Sequence, residues 1–141
     1  MNRTIFRKGV VGMISKLGQV MVYVDDQDKA VKFWTEKAGF TVIADKGSED
    51  MGIRWIEIAP SEDSATTIVL HDKEVISKMS PELNLGTPSL MFYTDNVDKL
   101  YADFKERGVT TGELVNMRMG RTFNFADDEE NYFAVMELLE E

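Results

Sequence analysis

Side chains able to do acid–base or metal chemistry are few in this chain of 141 residues, which has one histidine, His71, and no cysteine. Without thiols there is no cysteine nucleophile, disulfide or thiolate-held zinc or iron–sulfur site. Any imidazole chemistry must use His71. It ends an apolar strand on the side opposite Leu70, where a structural or surface role suits it. Glu57 stands out more. Trp55 and Glu57 alternate with Ile56 and Ile58, so they share one strand face. If that face lines a pocket, apolar neighbours raise the carboxyl's pKa toward the range of general acid–base work. Otherwise Glu57 is an open strand carboxylate or a partner for Arg54 or Arg121. Tyr23 and Tyr93 each turn a hydroxyl either to a ligand or to water. Met117 and Met119 flank Arg118 in a turn, where flexible thioethers suit an adaptable lid or an interface unless their exposure is incidental. Asp45, Asp50 and the acidic tail from Glu137 to Glu141 read as solvated charge.

These residues sit on a duplicated frame. Val20-Met21-Val22-Tyr23-Val24-Asp25 runs through Asp28-Lys29 to Gly39, and Leu90-Met91-Phe92-Tyr93-Thr94-Asp95 runs through Asp98-Lys99 to Gly108. Arg54 to Ala59 is echoed by Arg121 to Ala126. A repeat fixes architecture before any local assignment. Alternation and turn residues predict strands over 17–24, 40–45, 52–59 and 66–71, then again over 88–94, 113–117, 121–126 and 132–138. Asp25 and Asp95 are expected to cap the helices that follow the first strand of each copy, with Gly39 and Gly108 closing them. A short helix is expected around 73–79, within the linker. The fold class is therefore α+β: two tandem βαβββ modules, 17–71 and 88–138, joined by a linker over 72–87. Their sheets are expected to curl around a central cleft.

Alternation also sorts the faces. In the first strand Val20, Val22 and Val24 form a purely apolar set suited to packing beneath a helix, while Gln19, Met21 and Tyr23 form a mixed one. The second copy repeats the split, with Ser89, Met91 and Tyr93 on its mixed side. A face that is mostly apolar with a few polar groups resembles the lining of a ligand pocket, although an amphipathic outer face would read the same way. The expected cavity is lined by Gln19, Met21, Tyr23, Trp55 and Glu57 from one module and Met91, Tyr93 and Asn124 from the other. Met117 or Met119 caps it, and His71 lies outside it.

A formal net charge of -9 argues against nucleic acid, because phosphate binding needs a basic surface. No apolar run approaches the ~20 residues that span a bilayer. Residues 1–16, with Arg3, Arg7 and Lys8 around a short apolar run, read as an N-terminal extension rather than a secretory signal. Cytoplasmic residence is expected.

Val22-Tyr23-Val24-Asp25 followed by Ala30, Phe33-Trp34 and Gly39-Phe40 resembles the opening of the vicinal oxygen chelate superfamily. That group includes glyoxalase I, extradiol dioxygenases, and fosfomycin- and bleomycin-resistance proteins. Phe123-Asn124-Phe125-Ala126-Asp127 to Asn131 is similar to its closing turn, with Asp128-Glu129-Glu130 in place of Pro-Asp-Gly. The resemblance covers about 17–137 and implies a single glyoxalase-like domain, 17–141, in a homodimer. Carried over, the family's metal-ligand positions fall on Gln19, Leu70, Ser89 and Ala134, with His71 and Glu137 the nearest substitutes if the last strands are shifted. That set is too poor in donors to hold a metal. The expected function is metal-independent binding of a small, partly apolar or aromatic molecule, with no cofactor. The alternative is a lyase, isomerase or oxygenase using a metal or Glu57.

Overall fold

The computed structural model describes residues 13–48 and 52–139. Most of the expected N-terminal extension, residues 1–12, lies outside the described residues, as does Asp50. Strands β1 (Gln19–Val24), β2 (Thr41–Ser48), β3 (Ile53–Ala59) and β4 (Thr67–Asp72) form one sheet in the order β1-β4-β3-β2. Strands β5 (Met91–Tyr93), β6 (Val115–Asn116), β7 (Gly120–Ala126) and β8 (Tyr132–Leu138) form a second in the matching order β5-β8-β7-β6. In each sheet the first strand lies parallel to the last and the remaining pairs are antiparallel. Helix α1 (Gln27–Lys32) runs into a π-helical turn over Phe33–Lys37, α2 (Lys73–Met79) falls in the expected linker, and α3 (Val97–Glu106) belongs to the second module. The architecture is α+β, two tandem modules. No helix among the described residues is long and apolar enough to cross a membrane.

Both main helices start one residue later than expected. Asp26 accepts from the Lys29 amide at 3.0 Å and Asn96 from the Lys99 amide at 3.0 Å. Each cap is the second of two adjacent capping side chains, Asp25-Asp26 and Asp95-Asn96. The helices close as expected on Gly39 (φ +80°) and Gly108 (φ +81°), a left-handed conformation that glycine adopts without strain. The first helix is further held by Glu129 of the closing turn, whose carboxylate accepts from the Asp25 amide at 2.8 Å and the Asp26 amide at 3.0 Å.

The apolar sets of both modules meet in one core. Val22, Val24, Ile56, Ile58 and Leu70 from the first sheet and Phe123, Phe125, Phe133 and Val135 from the second belong to a single buried cluster. Trp34 joins them. It is fully buried and its ring lies 6.0 Å from Phe92, 6.0 Å from Phe125 and 5.4 Å from Phe133. A side chain of the first module's helix thus packs on the second module's sheet.

Two groups of charge expected to be merely solvated are tied into this frame. Arg54 grips Asp45 with two nitrogens, at 3.0 and 2.9 Å, and reaches Asp28 at 2.9 Å. The Arg54 hydrogen bonds hold the Asp45 carboxyl below its ordinary pKa. Arg121 reaches Asp98 at 2.8 Å, the same strand-to-helix pairing in the second module. Glu137 accepts from the first amide of α3, Val97 N, at 2.7 Å, where a carboxylate also meets the positive end of the helix dipole.

Candidate functional site

Strand register, rather than position in the chain, decides which side chains share a face. On the outer face of the first sheet, Tyr23 pairs with His71, His71 with Trp55, and Trp55 with Lys46, a row crossing all four strands. The next row holds Met21, Val69, Glu57 and Ala44, and Gln19 stands beside Thr67 beyond it. Each of these alternates with a core residue such as Val22, Leu70 or Ile56. The expected mixed face therefore exists, and Gln19, Met21, Tyr23, Trp55 and Glu57 are all on it.

His71 is on it too, which corrects the expectation that it lies outside. Leu70 had been assigned to the pocket side by the family's ligand position. It is instead fully buried in the core, paired with Val22 and Ile56, so alternation turns His71 outward. The imidazole stacks on Tyr23 with ring centroids 5.9 Å apart and planes 20° from parallel. Its Nδ1 is enclosed and has no hydrogen-bond partner among the described residues. Burial pushes the His71 pKa below its ordinary value, because the imidazolium loses its hydration there.

Glu57 is held rather than free. Its Oε2 accepts from Thr67 Oγ1 at 2.6 Å, with the Gln19 amide at 3.5 Å. Its expected partners Arg54 and Arg121 are engaged elsewhere, on Asp45, Asp28 and Asp98.

The second sheet's outer face carries Met91, Ala134 and Asn124 in one row and Tyr93, Met136, Thr122 and Val115 in the next. Much of it is open to solvent: Met91 is 48% exposed, Tyr93 68% and Tyr132 58%. Met117 and Met119 project from the β6–β7 turn and are likewise exposed. A groove of about 470 Å³ runs where the two modules adjoin, lined by Leu17, Val20, Ile68, Leu90, Met91 and Tyr93.

The groove where the modules adjoin brings Met91 and Tyr93 together with Leu17, Val20 and Ile68. Both apolar faces turn into the shared core around Trp34, so each mixed face is the outer face of its own sheet. The first module's share of the expected lining, Gln19, Met21, Tyr23, Trp55 and Glu57, is gathered on one sheet face, and the second module's share, Met91, Tyr93 and Asn124, on the other.

The side chains at the implied metal positions do not fit a metal. Gln19 and the exposed Ser89 bring one amide oxygen and one hydroxyl, and Ala134 brings nothing. Leu70 is buried in the core, and the mixed-face residue beside Met21 is Val69. A divalent ion needs several convergent nitrogen or oxygen donors. Among the described residues no three His, Asp or Glu side chains gather to supply them.

This pairing of a doubled strand–helix–strand frame with a mixed outer face defines a class, and comparison with known proteins identifies it. The model of the Glyoxalase/Bleomycin resistance protein/Dioxygenase superfamily matches residues 16–135, and the chain belongs to that superfamily. It is similar to the uncharacterised Bacillus subtilis (strain 168) protein YetH, 36% identical over 128 residues, 89% of this chain and 100% of YetH. The solved structure of TnmS3, described as an antibiotic binding protein from Streptomyces sp. CB03234, superposes with a TM-score of 0.76 at 32% identity, covering 90% of this chain and 98% of its own. A glyoxalase/bleomycin resistance protein from the same Streptomyces gives 0.69 at 32% identity, with 86% and 99% covered.

Proposed function

We propose that this protein binds a small, partly apolar or aromatic molecule without a metal, acting in the cytoplasm by sequestration. The observation that carries this is the lining of the two outer faces. Rings and thioethers dominate, and the few polar groups, Gln19, Glu57, His71 and Asn124, suit orientation of a ligand more than coordination of an ion. The similarity to an antibiotic binding protein supports the same reading.

The site is a cup made by two chains, the first sheet of one facing the second sheet of the other. Met91, Tyr93, Val115 and Tyr132 are all exposed on one sheet face, and apolar residues grouped in this way mark interaction surfaces. A homodimer covers that surface and brings Tyr23 of one chain opposite Tyr93 of its partner. Met117 or Met119 then lies at the rim.

The enzymatic alternative has one observation in its favour. His71 and Glu57 share a face, two strand positions apart in adjoining rows, so a metal-free lyase or isomerase would have an imidazole and a carboxylate to hand. Titration separates the two readings. Sedimentation should show a dimer, and a planar aromatic antibiotic should perturb tryptophan fluorescence saturably and be recovered unchanged. A monomer at micromolar concentration, or a chemically altered ligand, would overturn the binder reading.

A further inference from the structure

The two copies share strand order and register but have diverged along one row. In the second sheet the row is Tyr93, Met136, Thr122, Val115; in the first it is Tyr23, His71, Trp55, Lys46. Tyrosine is kept at one end. The other three positions change from thioether, hydroxyl and aliphatic to imidazole, indole and ammonium.

We infer that the Tyr23–His71–Trp55–Lys46 row selects a planar aromatic ligand bearing an anionic substituent, the rings stacking on His71 and its neighbours and the anion meeting Lys46. This assignment rests on the binding reading above and names its ligand class.

Geometry supports it. Four strands at a spacing of about 4.8 Å put the row's ends roughly 14 Å apart, the span of two or three fused rings with a side group. His71 already lies nearly parallel to Tyr23 at 5.9 Å, so the two rings are ordered against each other before any ligand arrives. With Nδ1 enclosed, Nε2 is the nitrogen left to meet a ligand's polar edge. The charges on this face are unequally placed. Glu57 stands one row behind, its carboxylate held by Thr67, while Lys46 ends the aromatic row itself. Arg54 lies on the opposite face, gripped by Asp28 and Asp45, and so does not compete for the anion. The second sheet offers neither ring nitrogen nor charge in the matching row. A ligand held between the two therefore has a defined orientation, its polar edge on the first sheet and its greasier side on the second.

The test uses two probes of one shape, anthracene-2-carboxylate and anthracene-2-carboxamide, titrated against the full chain by fluorescence. The carboxylate should bind about fivefold more tightly, the scale of one partly exposed ion pair. Lys46→Gln should bring the ratio to about one by weakening the carboxylate, and Lys46→Arg should restore the preference. His71→Ala, checked for folding by circular dichroism, should weaken both probes alike. Equal affinity for the two probes in the unsubstituted protein, or a ratio that survives Lys46→Gln, overturns this inference and leaves small-molecule binding standing. Failure of both probes to bind overturns it together with the aromatic part of the proposed function.

Discussion

Trp34 is the joint between the two modules, and replacing it should show whether they fold as one. Its side chain is fully buried, with its ring 4.9 Å from Phe40 on its own module's side and 5.4 Å from Phe133 on the other. Truncation of a buried tryptophan to alanine typically costs about 3–5 kcal/mol, the lost transfer energy plus an uncollapsed cavity. At this chain length roughly 3 °C of Tm follows each kcal/mol, so Trp34→Ala should lower Tm by about 10–15 °C. Trp34→Phe should cost much less. It loses ring area, but it also removes an indole N–H that is buried without an acceptor, a group whose desolvation costs about 1–3 kcal/mol. The assay is urea unfolding at one protein concentration, with Trp55 fluorescence reporting the first sheet and amide exchange of β7 and β8 reporting the second. Both probes should shift together in each variant. Separate transitions for the two sheets, or a loss below about 1.5 kcal/mol for Trp34→Ala, would refute the idea of a single shared core.

Other outcomes follow from named contacts. Partial burial, then the charge of Asp127, push the Asp128 carboxyl up to about 6 from 3.8, so the folded state holds this proton more tightly than the unfolded chain and loses stability as pH rises from about 4 through 6. Asp128→Asn should therefore raise Tm slightly at pH 8, with the gain fading as pH falls through 6 toward 4; a gain that grows in acid would contradict the sign. Gly120→Ala should lose about 2 kcal/mol or more, because its Cβ would lie 2.2 Å from the Glu137 carbonyl oxygen; an unchanged Tm would refute the close approach. Equimolar zinc or nickel should leave Tm unchanged, since native-state binding stabilises in proportion to affinity; a rise of several degrees would reveal a metal site.

The frame was legible in the sequence because its signals are local. Alternation, glycine at helix ends and capping side chains each act within a few residues, and β8 falls on the predicted residues Tyr132–Leu138. The helix starts slipped by one where two adjacent residues could both cap. His71 was misplaced for another reason: Leu70 took its face from a family position, although counting along the strand from the core would have turned it inward. Lys46 was missed because the predicted strand stops at residue 45, whereas β2 runs on to Ser48, and a bulge between Val42 and Ala44 shifts its register as well. The placement of the two mixed faces was not legible at all. Alternation identifies an apolar face but not what covers it, and here the cover is Trp34 reaching across from the other module.

That reach bears on the order in which the protein can be made. The first sheet has all its strands once residue 72 has emerged, and its β1–β4 pairing closes only a modest loop. The rings on which Trp34 packs, Phe92, Phe125 and Phe133, are synthesised afterwards. At a ribosomal pace of about 5–20 residues per second, the nascent first module waits several seconds with a large aromatic side chain uncovered. Over that interval it presents a sticky surface to chaperones and to other nascent copies, and burial of Trp34 marks the moment at which the chain stops being a client for them.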